Sequence, residues 1–188
     1  MTRTAIRIVL IYGIVAGLIV AVPMVASMLV LTAQTAPDNG ALIGYLTMIV
    51  ALTAVFLGVK HYRDKVLGGA VKFVPALLVG LGISAVASAI YAIGWELSIA
   101  LTGFDFGAAY TQTMLEAARA KGASAEELAR VTEQAAAFAR MYSNPLYRLP
   151  ITFVEMFPVG VVISVLSAAL LRNSGFLAAR AGHSAVNE

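Results

Sequence analysis

Two glutamates interrupt stretches of this sequence that are otherwise apolar and uncharged. Glu96 follows Trp95 in one stretch, and Glu155 lies shortly before Pro158 in another. An ionised carboxylate in hydrocarbon costs several kcal/mol, so such residues usually face a bundle interior, water or a partner group. These acids are therefore the first candidates for a polar site inside a membrane.

Glu155 has two open interpretations. It is either a neutral or hydrogen-bonded structural acid, or a protonatable or cation-binding site of the kind that transporters place beside irregular backbone. Pro158 favours such irregularity, because it cannot donate to the carbonyl of Val154 and predicts a kink. The candidate partners of Glu155 are Tyr91, Ser88 and Arg148.

Glu96 is predicted to lie near the outer boundary of its helix, at a depth similar to that of Glu155. Counting from Lys72 places it roughly 36 Å along the helix. Its simplest role is to reach the headgroup layer beside Trp95, since tryptophan is enriched there. The sequence alone does not say whether the two acids face each other.

A second polar motif contains Lys60, Tyr62, Arg63 and Asp64, followed by Gly68 and Gly69. A short basic loop with aromatic anchors is typical of the cytoplasmic side of a membrane protein. Docking of a cytoplasmic partner is the alternative. His61 has no neighbouring Cys or second His, so no metal site is predicted.

The elements that position these residues are membrane spans. The chain has 188 residues, of which 60% are hydrophobic and only 12% charged, with a mean hydropathy of +0.87. Crossing the hydrocarbon takes roughly 20 apolar residues, and the spanning backbone must be helical. We predict four spans, at residues 6–31, 42–60, 73–101 and 149–171, within a single membrane domain 1–188.

The distribution of Lys and Arg sets the expected topology. Basic residues flank the termini and the second loop, whereas the first loop carries only Asp38. The positive-inside rule therefore predicts cytoplasmic N- and C-termini in the inner membrane. Residues 174–188 resemble a disordered tail. The basic flanks fit anionic lipid, and nothing calls for nucleic acid as a partner.

Small residues recur every four positions along three of the spans, a spacing that lets helix backbones approach closely. They serve either packing within one bundle or a homo-oligomer seam, for which the first span is the better choice. The residues are Gly13, Gly17, Gly80, Ser84, Ser88, Gly160 and Ser164.

A helical hairpin is predicted outside the membrane at about residues 106–143. Lys121-Gly122 suits a helix end, and Ser124 with Glu127 forms a capping box that opens a second helix. Leu128, Val131, Ala135, Phe138 and Tyr142 make a narrow apolar stripe. We expect this stripe to pack on the first hairpin helix or on the bundle rather than to enter lipid.

Two segments carry a family resemblance. Lys60, Tyr62-Arg63-Asp64, Gly68-Gly69 and Phe73 form one, and Glu155 to Gly160 followed by Arg172 forms the other. Together they resemble a family of small bacterial inner-membrane proteins, the domain of unknown function 4199. The resemblance implies four helices with an outer insertion between the third and fourth, and it implies no activity.

The sequence therefore predicts an all-α integral membrane bundle of four transmembrane helices with an extracytoplasmic helical hairpin between helices three and four. The leading function is a non-enzymatic envelope accessory protein that binds a partner through the hairpin. The alternative is a small homo-oligomeric transporter or channel that uses Glu155. No catalytic motif is present, and no cofactor is predicted.

Overall fold

The computed structural model describes residues 2–30 and 40–178, and every regular element in these ranges is helical. Asp38, Arg180 and His183 lie outside the described residues, as does most of the predicted tail. In chain order the helices are α1 (Arg3–Val30), α2 (Gly40–His61), a π-helical turn (Tyr62–Val66), α3 (Phe73–Thr102), α4 (Phe106–Ala120), α5 (Ala125–Tyr142) and α6 (Pro145–Leu171).

Four of these helices are long and apolar enough to cross a membrane, which confirms the predicted all-α membrane bundle. They are α1, α2 with the π-helical turn, α3 and α6. An 18-residue window within each has a mean hydropathy of 2.7, 2.3, 2.2 and 2.1 respectively. Helix α6 begins four residues earlier than predicted. Asn144 caps it by accepting from the backbone N–H of Leu146, and Pro145 fills the first helical position, where a missing N–H costs little.

Helix α3 is the centre of the bundle. It packs along its length against α1 on one side and α6 on the other, and α2 contacts all three. The core between them is formed by small and aliphatic side chains such as Ala16, Leu52, Val55, Ile83 and Ala87. Helix α6 runs unbroken through Pro150 and Pro158, so the kink at Pro158 stays a prediction.

The small residues of α1 are used inside the bundle. A Cβ on Gly13 would lie 2.6 Å from Cβ of Val86, and one on Gly17 would lie 2.6 Å from Cβ of Ile90. Helix α3 therefore covers the ridge that the sequence favoured for an oligomer seam. A second copy cannot use this surface without displacing α3.

The small residues of α3 and α6 face one another in the same way. Gly80 lies against Ser164, and Gly160 lies against Ser84. The two serine Oγ atoms are 3.1 Å apart, and each also donates to a backbone carbonyl four residues earlier in its own helix. This seam fixes the rotation of α6 relative to α3, which decides where the polar residues of both helices point.

Helices α4 and α5 form the expected hairpin at one end of the bundle. The capping box between Ser124 and Glu127 is present, and Gly122 has a φ of +73° at the turn. The stripe on α5 faces α4: the rings of Phe138 and Tyr110 are 4.7 Å apart, as are those of Tyr142 and Phe106. We call this the hairpin end of the bundle, and the opposite one the termini end.

Candidate functional site

The hairpin end contains an ion pair between two spans. Arg148 of α6 donates through Nε and Nη2 to the two carboxylate oxygens of Glu96 on α3, at 2.6 and 2.5 Å. The side chains of Arg148 and Glu96 are only 10% and 22% exposed. Bidentate pairing of this kind is among the strongest arginine–carboxylate interactions, because each carboxylate oxygen accepts a hydrogen bond from the guanidinium group. Glu96 thus has a defined partner rather than a free path to headgroups.

The same arginine ties the hairpin to the bundle. Its Nη1 donates to the backbone carbonyl of Tyr142 at 3.1 Å, and its guanidinium lies 5.7 Å from the centre of the Tyr142 ring. Trp95 Nε1 donates to the Tyr142 hydroxyl at 2.8 Å. Burial raises the pKa of this phenol.

Aromatic rings complete this junction. Phe106 of α4 meets Trp95 of α3 edge to face, with ring centres 5.8 Å apart, and also packs on Tyr142. The hairpin base is therefore held by a hydrogen bond, a charged contact and ring packing together. These contacts define what we call the hairpin anchor: Trp95, Glu96, Phe106, Tyr142 and Arg148.

Glu155 lies apart from this anchor. The hydroxyl of Tyr91 on α3 donates to its Oε2 at 3.2 Å. Seven residues of α6 separate it from Arg148, so it is about 10 Å deeper than the Glu96 pair rather than at a similar depth. Of its three predicted partners, only Tyr91 binds it: Arg148 binds Glu96 instead. Ser88 Oγ is buried with no hydrogen-bond partner among the described residues.

The side chain of Glu155 is on the outside of the bundle. It is exposed, as is Pro158, while Met156 beside it is fully buried. The carboxylate is therefore presented at the membrane-facing surface of α6 instead of lining an interior path. Tyr91 is 7% exposed and holds the carboxylate from the inner side.

The termini end has its own buried charge, Arg63, whose side chain is 0% exposed. It donates to the backbone carbonyls of Phe176 and Leu177 at 2.7 and 2.8 Å, in the turns after α6. It also donates through Nε to Asp64 at 2.6 Å, and Lys60 donates to the other oxygen of that carboxylate at 2.5 Å. Arg63 thus binds the backbone carbonyls of the turns that follow the C-terminus of α6.

The π-helical turn at Tyr62–Val66 places Arg63 at this position. The N–H of Leu67 donates to the carbonyl of Tyr62, five residues back, and the N–H of Gly69 donates to the carbonyl of Arg63. Gly68 and Gly69 have φ of +70° and +101°, which glycine adopts without strain. The Lys60–Asp64 motif that the sequence indicated is therefore a structural junction between α2 and the end of α6.

Comparison with protein families assigns the chain to a family. The family described as protein of unknown function DUF4199 matches residues 11–173. The chain belongs to this family. No curated protein and no solved structure gave a match in the corresponding comparisons.

The DUF4199 match includes both polar regions and ends at Asn173. It therefore contains Arg63, the hairpin anchor and Glu155, but not the Phe176 and Leu177 carbonyls that Arg63 binds. The sequence predicted that the stripe containing Tyr142 packs on the first hairpin helix or on the bundle, and Tyr142 contacts both. It did not indicate that Trp95 donates to the Tyr142 hydroxyl.

These contacts distinguish the acids of this DUF4199 protein by the hydrogen bonds that each one accepts. The carboxylates of Glu96 and Asp64 each receive two charged hydrogen bonds, so they are committed to structure. Glu155 receives one hydrogen bond from a neutral hydroxyl and is exposed. Among these three acids, only Glu155 receives no hydrogen bond from a charged donor.

Proposed function

We propose that this protein is a non-enzymatic accessory protein of the bacterial inner membrane. In this proposal both termini are cytoplasmic, the α4–α5 hairpin is outside, and the hairpin presents a binding surface to an envelope partner. The positive-inside pattern supports the orientation, because Lys60, Lys65, Lys72 and Arg172 all cluster at the termini end.

The single observation that carries the proposal is the hairpin anchor. Trp95 and Arg148 of the spans both bind Tyr142 at the base of the hairpin, and Glu96 holds Arg148 in position. A flexible loop would lose conformational entropy when a partner binds. A surface held in place beforehand avoids much of that cost, which favours recognition.

The outward faces of the hairpin remain free for a partner. Glu126, Arg130 and Glu133 on α5 are exposed, and none of them belongs to the buried stripe. A shallow groove between α4 and α5 is bordered by Asp105, Gln112, Arg119 and Arg140. Mixed charge of this kind fits the polar rim of a protein interface and disfavours insertion into lipid.

Co-purification from native membranes tests this function. The full-length protein is extracted in native nanodiscs and the accompanying proteins are identified and quantified by mass spectrometry. We expect a stoichiometric partner that is lost when Glu126, Arg130 and Glu133 are replaced together by Ala. These changes leave the capping box and the anchor intact, so the hairpin keeps its fold.

Replacing Lys65 and Lys72 by Ala is the matched control, since both are exposed but lie at the termini end. The control should retain the partner. A partner that is retained equally by both variants would contradict a binding role for the hairpin. A protein that purifies alone would contradict the accessory function.

A second candidate function is a transport path formed between copies of the chain. The observation in its favour is that Glu155 and Pro158 share one exposed face of α6, where a neighbouring copy could complete a polar path. Its test is proton or cation flux in proteoliposomes. A flux that falls in Glu155→Gln, and not in the hairpin control Glu133→Gln, would replace the accessory function by transport.

A further inference from the structure

The exposed face of α6 around Glu155 is a continuous apolar stripe with one acid in it. Ile151, Glu155, Pro158, Val162 and Leu166 follow one another at spacings of three and four residues, and all are exposed. Val162 and Leu166 are 56% and 55% exposed. In a membrane this stripe faces either lipid or another protein.

Contact with lipid is energetically unfavourable for the Glu155 carboxylate. The carboxylate has one hydrogen bond, from Tyr91, and the residue is exposed. Carboxylates within spans usually pair with a cation or face water. Helix α6 places this one about 10 Å beyond Arg148, well below the aromatic residues that mark the hairpin end.

A second acceptor lies next to it on the same face. Pro158 has no N–H, so the carbonyl of Val154 has no hydrogen-bond donor at the usual position in the helix. The Val154 side chain is 59% exposed, which places this residue toward the outside as well. The surface therefore has two acceptors close together, the Glu155 carboxylate and the Val154 carbonyl. A single donor group could bind both.

Within residues 2–30 and 40–178, no cationic side chain lies at that depth without a partner. Arg148 is bound to Glu96, and the other basic residues beside the spans, such as Lys60, Arg63 and Arg172, are at the termini end. Residues 31–39 contain no Lys, Arg or His in their sequence. A second copy in the same orientation would bring another acid rather than a cation.

We propose that the α6 stripe binds a transmembrane helix of another protein that carries a lysine or arginine at the depth of Glu155. The ammonium or guanidinium group would receive Glu155 and the Val154 carbonyl as acceptors, and the apolar side chains of the stripe would pack on the partner helix. This inference rests on the proposed accessory function and names the chemistry of a partner within the membrane.

Single-span probe helices of defined sequence test this proposal. An epitope-tagged Leu/Ala helix with one Lys about 10 Å below its outer end is co-expressed with the full-length protein, and cytoplasmic flanking lysines fix its orientation. The second probe has Leu at that position, and the third has its Lys near the cytoplasmic end of the span. We expect the first probe to co-purify at roughly ten times the amount of the other two.

Two variants tie the result to the stripe. Glu155→Gln keeps the side-chain shape but removes the charge, and it should reduce capture of the lysine probe to the level of the leucine probe. Val162→Trp blocks the stripe sterically and should do the same even if Glu155→Gln alters folding. Leu18→Trp, on the exposed face of α1, is the matched control and should retain capture.

Three outcomes would overturn the proposal: equal capture of all probes, full capture by Glu155→Gln, or self-association through the stripe that excludes every probe. The accessory function is tested separately by the native co-purification. A native partner lost with the hairpin variant, without any lysine preference, would retain that function and reject this inference. Preferential capture of the lysine probe by a protein that has no native partner would retain this inference and reject the accessory function.

Discussion

At the level of single residues, the two glutamates within the spans have different environments. Glu96 is held by both prongs of an arginine, whereas Glu155 receives one hydroxyl and is exposed. The difference follows from the position of Arg148, seven residues before Glu155 on α6 and directly opposite Glu96. Glu96 therefore has a charged partner within its own chain, whereas Glu155 has only a neutral one.

Arg148→Ala should destabilise the protein by about 3 kcal/mol, because it leaves Glu96 with its charge and without a partner. The variant also loses the bond to the Tyr142 carbonyl. Unfolding of the purified protein in mixed micelles by increasing SDS measures this change. The paired substitution Glu96→Gln with Arg148→Gln should recover part of the loss, and a double variant no more stable than Arg148→Ala would contradict the assigned pairing.

Arg63→Lys should weaken the end of α6 although it keeps the charge. A lysine cannot bind Asp64 and the carbonyls of Phe176 and Leu177 together, because it lacks the planar fork of arginine. We expect a loss of about 2 kcal/mol in stability and faster proteolysis after Leu171. Lys65→Ala, which changes an exposed residue two positions away, is the control. Equal proteolysis of all three proteins would reject the capping role.

At the scale of elements, small residues decide how the helices pack. The seam of Gly80, Ser84, Gly160 and Ser164 sets the rotation of α6 against α3. This rotation places Arg148 opposite Glu96, and it leaves Glu155 on the outside. The polar site therefore depends on glycines that take no part in its chemistry.

Gly160→Ala should test this dependence. The added Cβ would lie 2.6 Å from Cβ of Ser84, so α6 must move away from α3. We expect a destabilisation of about 1–3 kcal/mol in the same unfolding assay. Gly44→Ala is the matched control, because no atom lies within 4 Å of its new Cβ and alanine favours the helix. A loss in the control as large as that in Gly160→Ala would contradict the seam.

Trp95→Phe should loosen the hairpin without unfolding the spans. Phenylalanine keeps an aromatic ring against Phe106 but cannot donate to the Tyr142 hydroxyl. Hydrogen exchange should therefore increase in α4 and α5 and stay unchanged in α3 and α6. Unchanged exchange in the hairpin would mean that this bond does not hold it.

At the scale of the whole molecule, local patterns predicted the elements but not their pairing. Each span and each hairpin helix follows from hydropathy or caps within its own segment, such as Ser124 with Glu127. The Glu96–Arg148 bond joins residues 52 positions apart, and the Arg63–Leu177 bond joins residues 114 apart. Such pairs depend on helix rotation and on the π-helical turn, which single-segment patterns do not contain.

Binding of another protein is the proposed function of this membrane protein. Site-specific photo-crosslinking in native membranes tests it most directly, with a photoreactive residue at Gln134 on the hairpin, at Val162 on the α6 stripe, or at Leu18 on α1. We expect discrete crosslinks to a different protein from Gln134 and Val162, and none from Leu18. Crosslinks only between copies of this chain, or the same pattern from all three positions, would contradict it.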